Sequence, residues 1–287
     1  MTSSTYLLAG QVSELDRLRL QSRVWEPSGR HLLEEIGEGS GGRVVDIGCG
    51  VMGWLRVLSE WVGPDGTVVG TDFDDAMLAK AHQFVADEGL GNVTLRNDDL
   101  FASALEPSSF DLVHARFEIT PLGRAQDQMT TYLGLVRPGG IVVLEDPEVA
   151  SWHFNPPAPA LENLIGLIVE AFRRTGGDWD AGRKHLDLFR SFGIEANVRA
   201  EVIALEPGHP YLALPLQFAT ALEKRLLSFV EADVLERVRN DAEVELSQPG
   251  RWGTTFTLLQ AWGRRPAEQH APRSGSRRAL GGGLIEG

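Results

Sequence analysis

The sequence predicts an α/β fold: a mostly parallel sheet with helices on both faces and a helical lid beside it. Three observations carry this. Residues 43–146 alternate short apolar runs with helical stretches. A glycine-rich loop directly follows the first of those runs and opens a helix. The 287 residues, 43% hydrophobic and 23% charged, are enough for one large domain with an added cap.

Taken in order, residues 1–40 read as an N-terminal helical lid. Ser13 with Asp16 three residues on is a capping-box variant, and Leu15, Leu18, Leu20 and Val24 supply an imperfect apolar face. Pro27 is expected to stop this helix, with a second running through His31, Leu32, Leu33 and Ile36. Val44-Val45-Asp46-Ile47 is a buried strand, and Trp54, Leu55, Val57, Leu58 and Trp61 mark the helix after it. Gly63-Pro64-Asp65-Gly66 turns the chain into a second strand at 67–71. A helix over 76–87 is capped by Asp74 or Asp75, and strands follow at 93–95 and 110–115. A helix at 126–135 ends at Arg137-Pro138-Gly139-Gly140, and 141–144 is a fifth strand. This rhythm means parallel strands joined by crossover helices.

Beyond it, 158–193 reads mainly as helix, 200–205 as a strand, 216–244 as helix begun by Pro215, and 254–262 as a last strand. The main domain therefore covers 41–266, with helical insertions at about 147–193 and 206–247. Residues 267–287, rich in Gly, Arg, Ser and Ala, are expected to be a flexible tail.

Charge and composition exclude several function classes. Lys plus Arg is 27 against 40 Asp plus Glu, a net charge of −13. Such a field repels phosphate backbones, so no nucleic-acid partner is expected. Apolar runs are far too short to span a bilayer, and residues 1–11 carry no signal-peptide pattern. A cytoplasmic protein without a membrane partner is expected. One cysteine rules out an internal disulfide and thiolate-rich zinc clusters, and no other metal-ligand spacing is present.

The chemistry begins at Gly48-Cys49-Gly50-Val51-Met52-Gly53, a literal GxGxxG between a strand and a helix. Backbone amides at such a helix start bind an adenosine-type cofactor, with Asp72 at the end of the second strand accepting from ribose hydroxyls. The loop alone leaves a nicotinamide cofactor and another adenosine ligand open. Asp46, two residues before Gly48, opposes a pyrophosphate and suits a cationic amino-acid or sulfonium group. Asn97-Asp98-Asp99-Leu100 ends the third strand, where an adenine amino group is met.

These residues together resemble the class I S-adenosylmethionine-dependent methyltransferases. Val44 to Gly50 resembles their first motif, Val69-Gly70-Thr71-Asp72 the second-strand acid, and Asp99-Leu100 the adenine-side motif. Phe110-Asp111-Leu112-Val113 resembles the fourth-strand motif, and Arg137-Pro138-Gly139-Gly140 the turn before strand five. The resemblance is strong over 43–147. It extends weakly to Tyr6-Leu7-Leu8, Glu14 to Leu18 and Gln21, and to Ala261 to Pro266, as in bacterial small-molecule and natural-product members. Met52 departs from the pattern, since a glycine is usual there, and Gly53 follows instead.

The resemblance implies a Rossmann-like seven-stranded sheet, S-adenosyl-L-methionine as cofactor and a small-molecule acceptor. Gly48, Cys49 and Gly50 would approach the methionine moiety and Asp46 its ammonium. Asp72 would hold the ribose, Phe73 would pack on the adenine, and Asp98, Asp99 and Leu100 would meet its edge. Ala115 and Arg116 would lie near the cofactor carboxylate, with Tyr6 and Gln21 contributed by the lid.

For the acceptor, Trp152, Phe154, Trp179 and Glu118 are the binding candidates, an aromatic wall suited to a planar metabolite. His153, Arg116 and Glu145 are the catalytic candidates, His153 as base. Each has a plainer role open to it: lid packing for the tryptophans, a solvated loop for His153, an internal pair with Glu145 or Asp146 for Arg116. His114, inside strand four, reads as a satisfied core histidine. The expected activity is O-, N- or C-methylation in secondary metabolism, with room for a homodimer. An NAD(P)-dependent oxidoreductase and a non-catalytic S-adenosylmethionine-binding regulator are the competing readings.

Overall fold

The computed structural model describes residues 12–267, and side chains from residue 17 onward. Tyr6, Leu7, Leu8 and most of the tail lie outside the described residues, as do the side chains of Ser13 and Asp16.

A long helix, α1 (Val12–Ile36), leads into the alternating core. That core runs β1 (Arg43–Ile47), α2 (Leu55–Val62), β2 (Thr67–Asp72), α3 (Asp75–Asp87), β3 (Val93–Asn97), β4 (Phe110–Arg116), α4 (Ile119–Leu122), α5 (Ala125–Leu135) and β5 (Val136–Glu148). The first insertion follows as β6 (Phe154–Asn155), α6 (Pro159–Arg173) and α7 (His185–Ser191), ending in β7 (Ala196–Glu201). The second comprises β8 (Ala204–Leu205), α8 (Leu214–Ala221), α9 (Glu223–Leu226), α10 (Ala232–Leu246) and β9 (Trp252–Thr254), before β10 (Thr257–Arg264) closes the sheet.

The seven-stranded sheet has the order β3-β2-β1-β4-β5-β10-β7. Strands β1 to β5 pair in parallel, and β10 runs antiparallel between β5 and β7. Three strands of the insertions form a separate antiparallel sheet, β6-β9-β8. One apolar cluster covers each face of the large sheet, and a third joins α1 to the insertions around Trp25, Trp152, Trp179 and Phe256.

Several local expectations are revised. Pro27 does not stop α1, which is one helix of 25 residues. Pro27 and Arg23 lie on its exposed face, where water can satisfy the carbonyl that Pro leaves without a donor. The opposite face buries Trp25, Ser28, Leu32 and Leu33, and that packing outweighs the local penalty. Arg137-Pro138-Gly139-Gly140 is a bulge inside β5: Phe110 pairs with Val136, and regular register resumes at Leu112 with Ile141. The single strand expected over 200–205 divides between two sheets, and the helix expected over 216–244 breaks into α8, α9 and α10. Helix α3 starts as expected at Asp74, whose carboxylate accepts from the Ala76 and Met77 amides.

Gly29 shows how closely α1 lies on the core. A Cβ there would come within 2.8 Å of the Trp54 ring. Gly to Ala inside a helix ordinarily stabilises by roughly 0.5–1 kcal/mol. Here overpacking, typically about 1–3 kcal/mol, reverses the sign. Gly29→Ala is expected to lower the thermal midpoint; an unchanged or higher midpoint would show that α1 stands off Trp54.

Candidate functional site

Strand order reverses direction between β1 and β4: β2 and β3 lie on one side, β5 on the other. In open parallel sheets the crevice beyond the carboxyl ends of such strands is where ligands bind. A cavity of about 560 Å³ sits there, walled by the glycine loop, the ends of β2, β3 and β4, α1 and the first and second insertions.

Behind that crevice runs a row of buried polar side chains on adjacent strands, of which Asp46 lines the cavity. His114 pairs across β1 and β4 with Asp46, and Glu145 pairs across β5 and β10 with Gln260. His114 Nδ1 is 2.7 Å from Asp46 Oδ1, and its Nε2 is 3.1 Å from Glu145 Oε2. The Gln260 amide donates to the other Glu145 oxygen, and Ser28 of α1 donates to Gln260 Oε1 at 3.2 Å. All five residues are buried. Because both ring nitrogens face carboxylate oxygens, both carry a proton, so His114 is an imidazolium. Burial by itself would push its pKa down, but the Asp46 and Glu145 carboxylates override that and hold it above the usual value. The ring also stacks on Trp54, centroid to centroid 3.9 Å.

Asp46 is committed inside the protein on both oxygens, since Oδ2 accepts from the Trp54 amide at the start of α2 (2.8 Å). Gly53 provides the room: a Cβ on it would lie 2.3 Å from that same oxygen. The close approach usually expected of a glycine at position 52 is thus made one residue later, and Met52 lines the cavity.

Asp72 is held ready at the end of β2. The Gly50 and Asp74 amides each donate to it at 2.9 Å, one to each oxygen. Burial raises its pKa, and these backbone bonds only partly offset the rise. Phe73 beside it is 61% exposed and lines the cavity. Asp98 and Asp99 each accept one nearby backbone amide, from Ala104 and Phe101, and line the cavity with the buried Leu100. Arg116 lines it too; its Nη2 donates to the Gly53 carbonyl at 3.3 Å, and Nη1 has no hydrogen-bond partner.

Of the other residues singled out from the sequence, Gln21, Gly48, Cys49, Gly50, Glu118 and Trp179 line the cavity. Ala115 is buried beside it. Glu118, expected toward an acceptor, lies instead on the glycine loop, where a Cβ on Gly48 would meet its Oε1 at 2.0 Å. Trp152 and Phe154 do not reach the cavity: both are buried, Trp152 stacking behind Trp179 with centroids 5.4 Å apart. His153 is exposed and outside the cavity, its backbone carbonyl bound by the Thr254 amide. Glu145 is enclosed in the His114 row, without access to a ligand.

The aromatic wall comes largely from residues the sequence reading passed over. Phe117, Phe172, Phe218 and Phe256 line the cavity with Trp179, and Phe256 meets Phe117 and Trp179 at 5.8 and 5.6 Å. The Arg17 guanidinium lies 4.5 Å over the Phe218 ring and donates to Gln21. The i, i+4 spacing of Arg17 and Gln21 was the one local signal for that pair. Nothing local marks the four phenylalanines, which are up to 139 residues apart.

Residues 44–140 match the family model described as a methyltransferase domain. Nocamycin O-methyltransferase of Saccharothrix syringae is 32% identical over 151 residues, 51% of this chain and 52% of that protein. Aklanonic acid methyltransferase DauC of Streptomyces sp. strain C5 is 31% identical over 147 residues, 50% of this chain and 66% of that protein. The chain thus spans about half to two thirds of the length of these curated relatives. A solved structure of a SAM-dependent methyltransferase from Aquifex aeolicus superposes with a TM-score of 0.51 at 20% identity, covering 67% of this chain and 92% of that one. At that identity the likeness is one of fold.

The His114 row makes a pH-dependent contribution to stability. A histidine held above its ordinary value of 6.5 stabilises the fold fully below that value, and the contribution fades as pH rises through the folded-state value. His114→Ala leaves Asp46 buried without a cation and Glu145 with only Arg116 at 4.0 Å, a loss of about 3–5 kcal/mol. At this size about 2–4 °C of midpoint is lost per kcal/mol. The gap between wild type and variant should be widest just below pH 6.5 and narrow as pH rises through the folded-state value; a gap constant with pH would contradict the imidazolium.

Proposed function

Starting from a core that belongs to the class I S-adenosylmethionine-dependent methyltransferases, we propose that this chain methylates a small aromatic metabolite with S-adenosylmethionine as donor. The observation that carries the reading is the coincidence of the methyltransferase-domain match, residues 44–140, with the glycine loop and acids that line the cavity.

The chain's residues fit that cofactor in charge and in shape. The Asp72 carboxylate, fixed by two backbone amides, keeps lone pairs for the ribose hydroxyls. The exposed Phe73 ring is the adenine platform, and Asp98, Asp99 and Leu100 meet the adenine edge. Arg116, with one buried donor lacking a partner, suits the cofactor carboxylate. Gly48 to Gly50 offer backbone to the amino-acid end. The acids Asp46, Asp72 and Glu118 around the loop favour a cationic ligand and oppose a pyrophosphate, which weighs against the nicotinamide reading.

When bound, S-adenosylmethionine supplies a methyl group on a sulfonium whose sulfur is already a good leaving group. The chain's share is positioning, which in well-oriented cases lowers a barrier by up to about 7–11 kcal/mol. Phe117, Phe172, Trp179, Phe218 and Phe256 hold the acceptor by ring contacts and keep water from the reacting region. No base at His153 is part of this reading, since that side chain is exposed outside the cavity. Tailoring of an aromatic natural product is the substrate class favoured, supported by the cavity wall and by relatives named for nocamycin and aklanonic acid.

The test is a thermal-shift series with S-adenosylmethionine, S-adenosylhomocysteine, NAD and NADP. At about 100 times its Kd a ligand adds roughly 2.7 kcal/mol of stability. Shifts with the two sulfur ligands alone are expected; a shift with a nicotinamide alone would transfer the protein to the oxidoreductases. Asp72→Ala should weaken S-adenosylmethionine by about 1.5–3 kcal/mol per lost charged bond, read by calorimetry. S-Adenosylhomocysteine release with a panel of planar phenols and quinones separates the enzyme from a non-catalytic binder, which would bind the donor and turn over none of them.

A further inference from the structure

Glu118 is a carboxyl group on the cavity wall that forms no ion pair among the described residues. The backbone puts it there: β4 ends at Arg116, and Phe117 takes φ 58°, a conformation rare and strained for a bulky residue. The Phe117 amide is fixed on the Glu145 carbonyl at 2.8 Å, so the turn is held from the strand side. Its result is that the Glu118 carboxyl rests on Gly48, so closely that a Cβ there would have to push it aside.

The carboxyl shares the cavity wall with three cations, each engaged elsewhere: Arg17 donates to Gln21, Arg116 to the Gly53 carbonyl and Arg124 to Asp127. No donor among the described residues hydrogen-bonds to its oxygens, which are open to the cavity. Asp46 of β1, Asp72 of β2 and Asp146 of β5 act on it as like charges. A charge on Glu118 would in turn push up the Cys49 thiol in the loop and the Tyr132 hydroxyl on α5. Arg116, two residues before it, is engaged with the Gly53 carbonyl and lies 4.0 Å from Glu145. Burial, then Asp72, Asp146 and Asp46, push the Glu118 pKa well above the carboxylate range. A carboxylate half-buried among like charges is ordinarily paired or hydrogen-bonded, and this one is neither.

We propose that Glu118 is the residue that reads the cofactor's ammonium group, and that it exchanges its own proton for that cation when the ligand binds. The inference rests on the methyl-donor reading of the site. The balance is simple: the neutral carboxylic acid loses one proton to the buffer, and the resulting carboxylate pairs with the incoming ammonium on the glycine loop. The cavity thereby avoids a bare anion when empty and gains a matched ion pair when filled. This gives the site a pH response. Affinity for the cationic ligand rises as pH approaches the raised Glu118 value and levels above it, where the carboxylate is already formed.

The experiment is isothermal calorimetry on the full chain with S-adenosylmethionine, S-adenosylhomocysteine and 5′-methylthioadenosine. The first carries a sulfonium and an ammonium, the second an ammonium only, the third neither. Titrations in buffers of different ionisation enthalpy count the protons released. Wild type should release up to one proton with the first two ligands and none with the third. In Glu118→Gln that release should vanish. Affinity should fall about 10- to 100-fold for the first two ligands, with the third unchanged. The pH dependence of affinity should flatten in the variant.

Equal affinities for wild type and E118Q, or equal loss for all three ligands, would overturn the proposal. Loss for S-adenosylmethionine alone would also overturn it, since it would move the contact from the ammonium to the sulfonium. Loss of binding to all three in the wild type would instead refute the methyl-donor reading. A thermal melt of E118Q separates these outcomes from misfolding: Gln replaces a neutral acid of the same shape, so the midpoint of the unliganded protein should be unchanged.

Discussion

Asp46 has one carboxylate and three structural demands on it. One oxygen receives the His114 imidazolium from the next strand, the other receives the amide that starts α2, and the backbone of Gly53 closes over it. The loop between β1 and α2 is therefore shaped by a charge beneath it as well as by its glycines. Remove that charge and the α2 amide, the histidine and, through it, Glu145 and Gln260 all lose a partner in a dry interior. Buried polar networks of this kind hold when every member is satisfied and fail together when one is not. Strand order sets the position of the crevice, and this row sets the shape of the loop that walls it.

The ligand-facing residues sit in front of that row, and they divide by charge. Acids gather around the glycine loop and the ends of β2 and β3, while rings gather under the insertions. A cationic, nucleoside-bearing ligand and a planar apolar one can thus occupy the same cavity without competing for the same wall. The arrangement explains why the ring half is not recognisable as an enzyme site by its own residues. The rings need the acids beside them to mark the reacting region.

The sequence made the loop side legible because its signals are local. A strand, three glycines, an acid at the next strand end and an aromatic after it are all read within about thirty residues, and the same stretch fixes the parallel sheet. The lid side was opaque for the opposite reason. Phe117, Phe172, Phe218 and Phe256 come from a strand end, two helices and a loop, and only the tertiary fold makes them neighbours. Trp152 and His153, adjacent in sequence to the right region, illustrate the same point from the other side: burial behind Trp179 and exposure beyond it are decided by pairing of β6 with β9. Pro27 misled because a local penalty of a few kcal/mol was weighed without the packing of Trp25, Leu32 and Leu33 on the far face.

That same packing has a mechanical meaning. Helix α1 reaches from Arg17, Gln21 and Ser22 at the cavity to Leu32 and Leu33 in the core as one rod. A flap that swings needs a joint, and this rod has none where a joint was expected. Lifting its cavity end would lever Trp25 out of the insertions and Leu32 and Leu33 out of the sheet's core, each worth about 1.5–3 kcal/mol of burial. The rod is thus a doorpost and not a door.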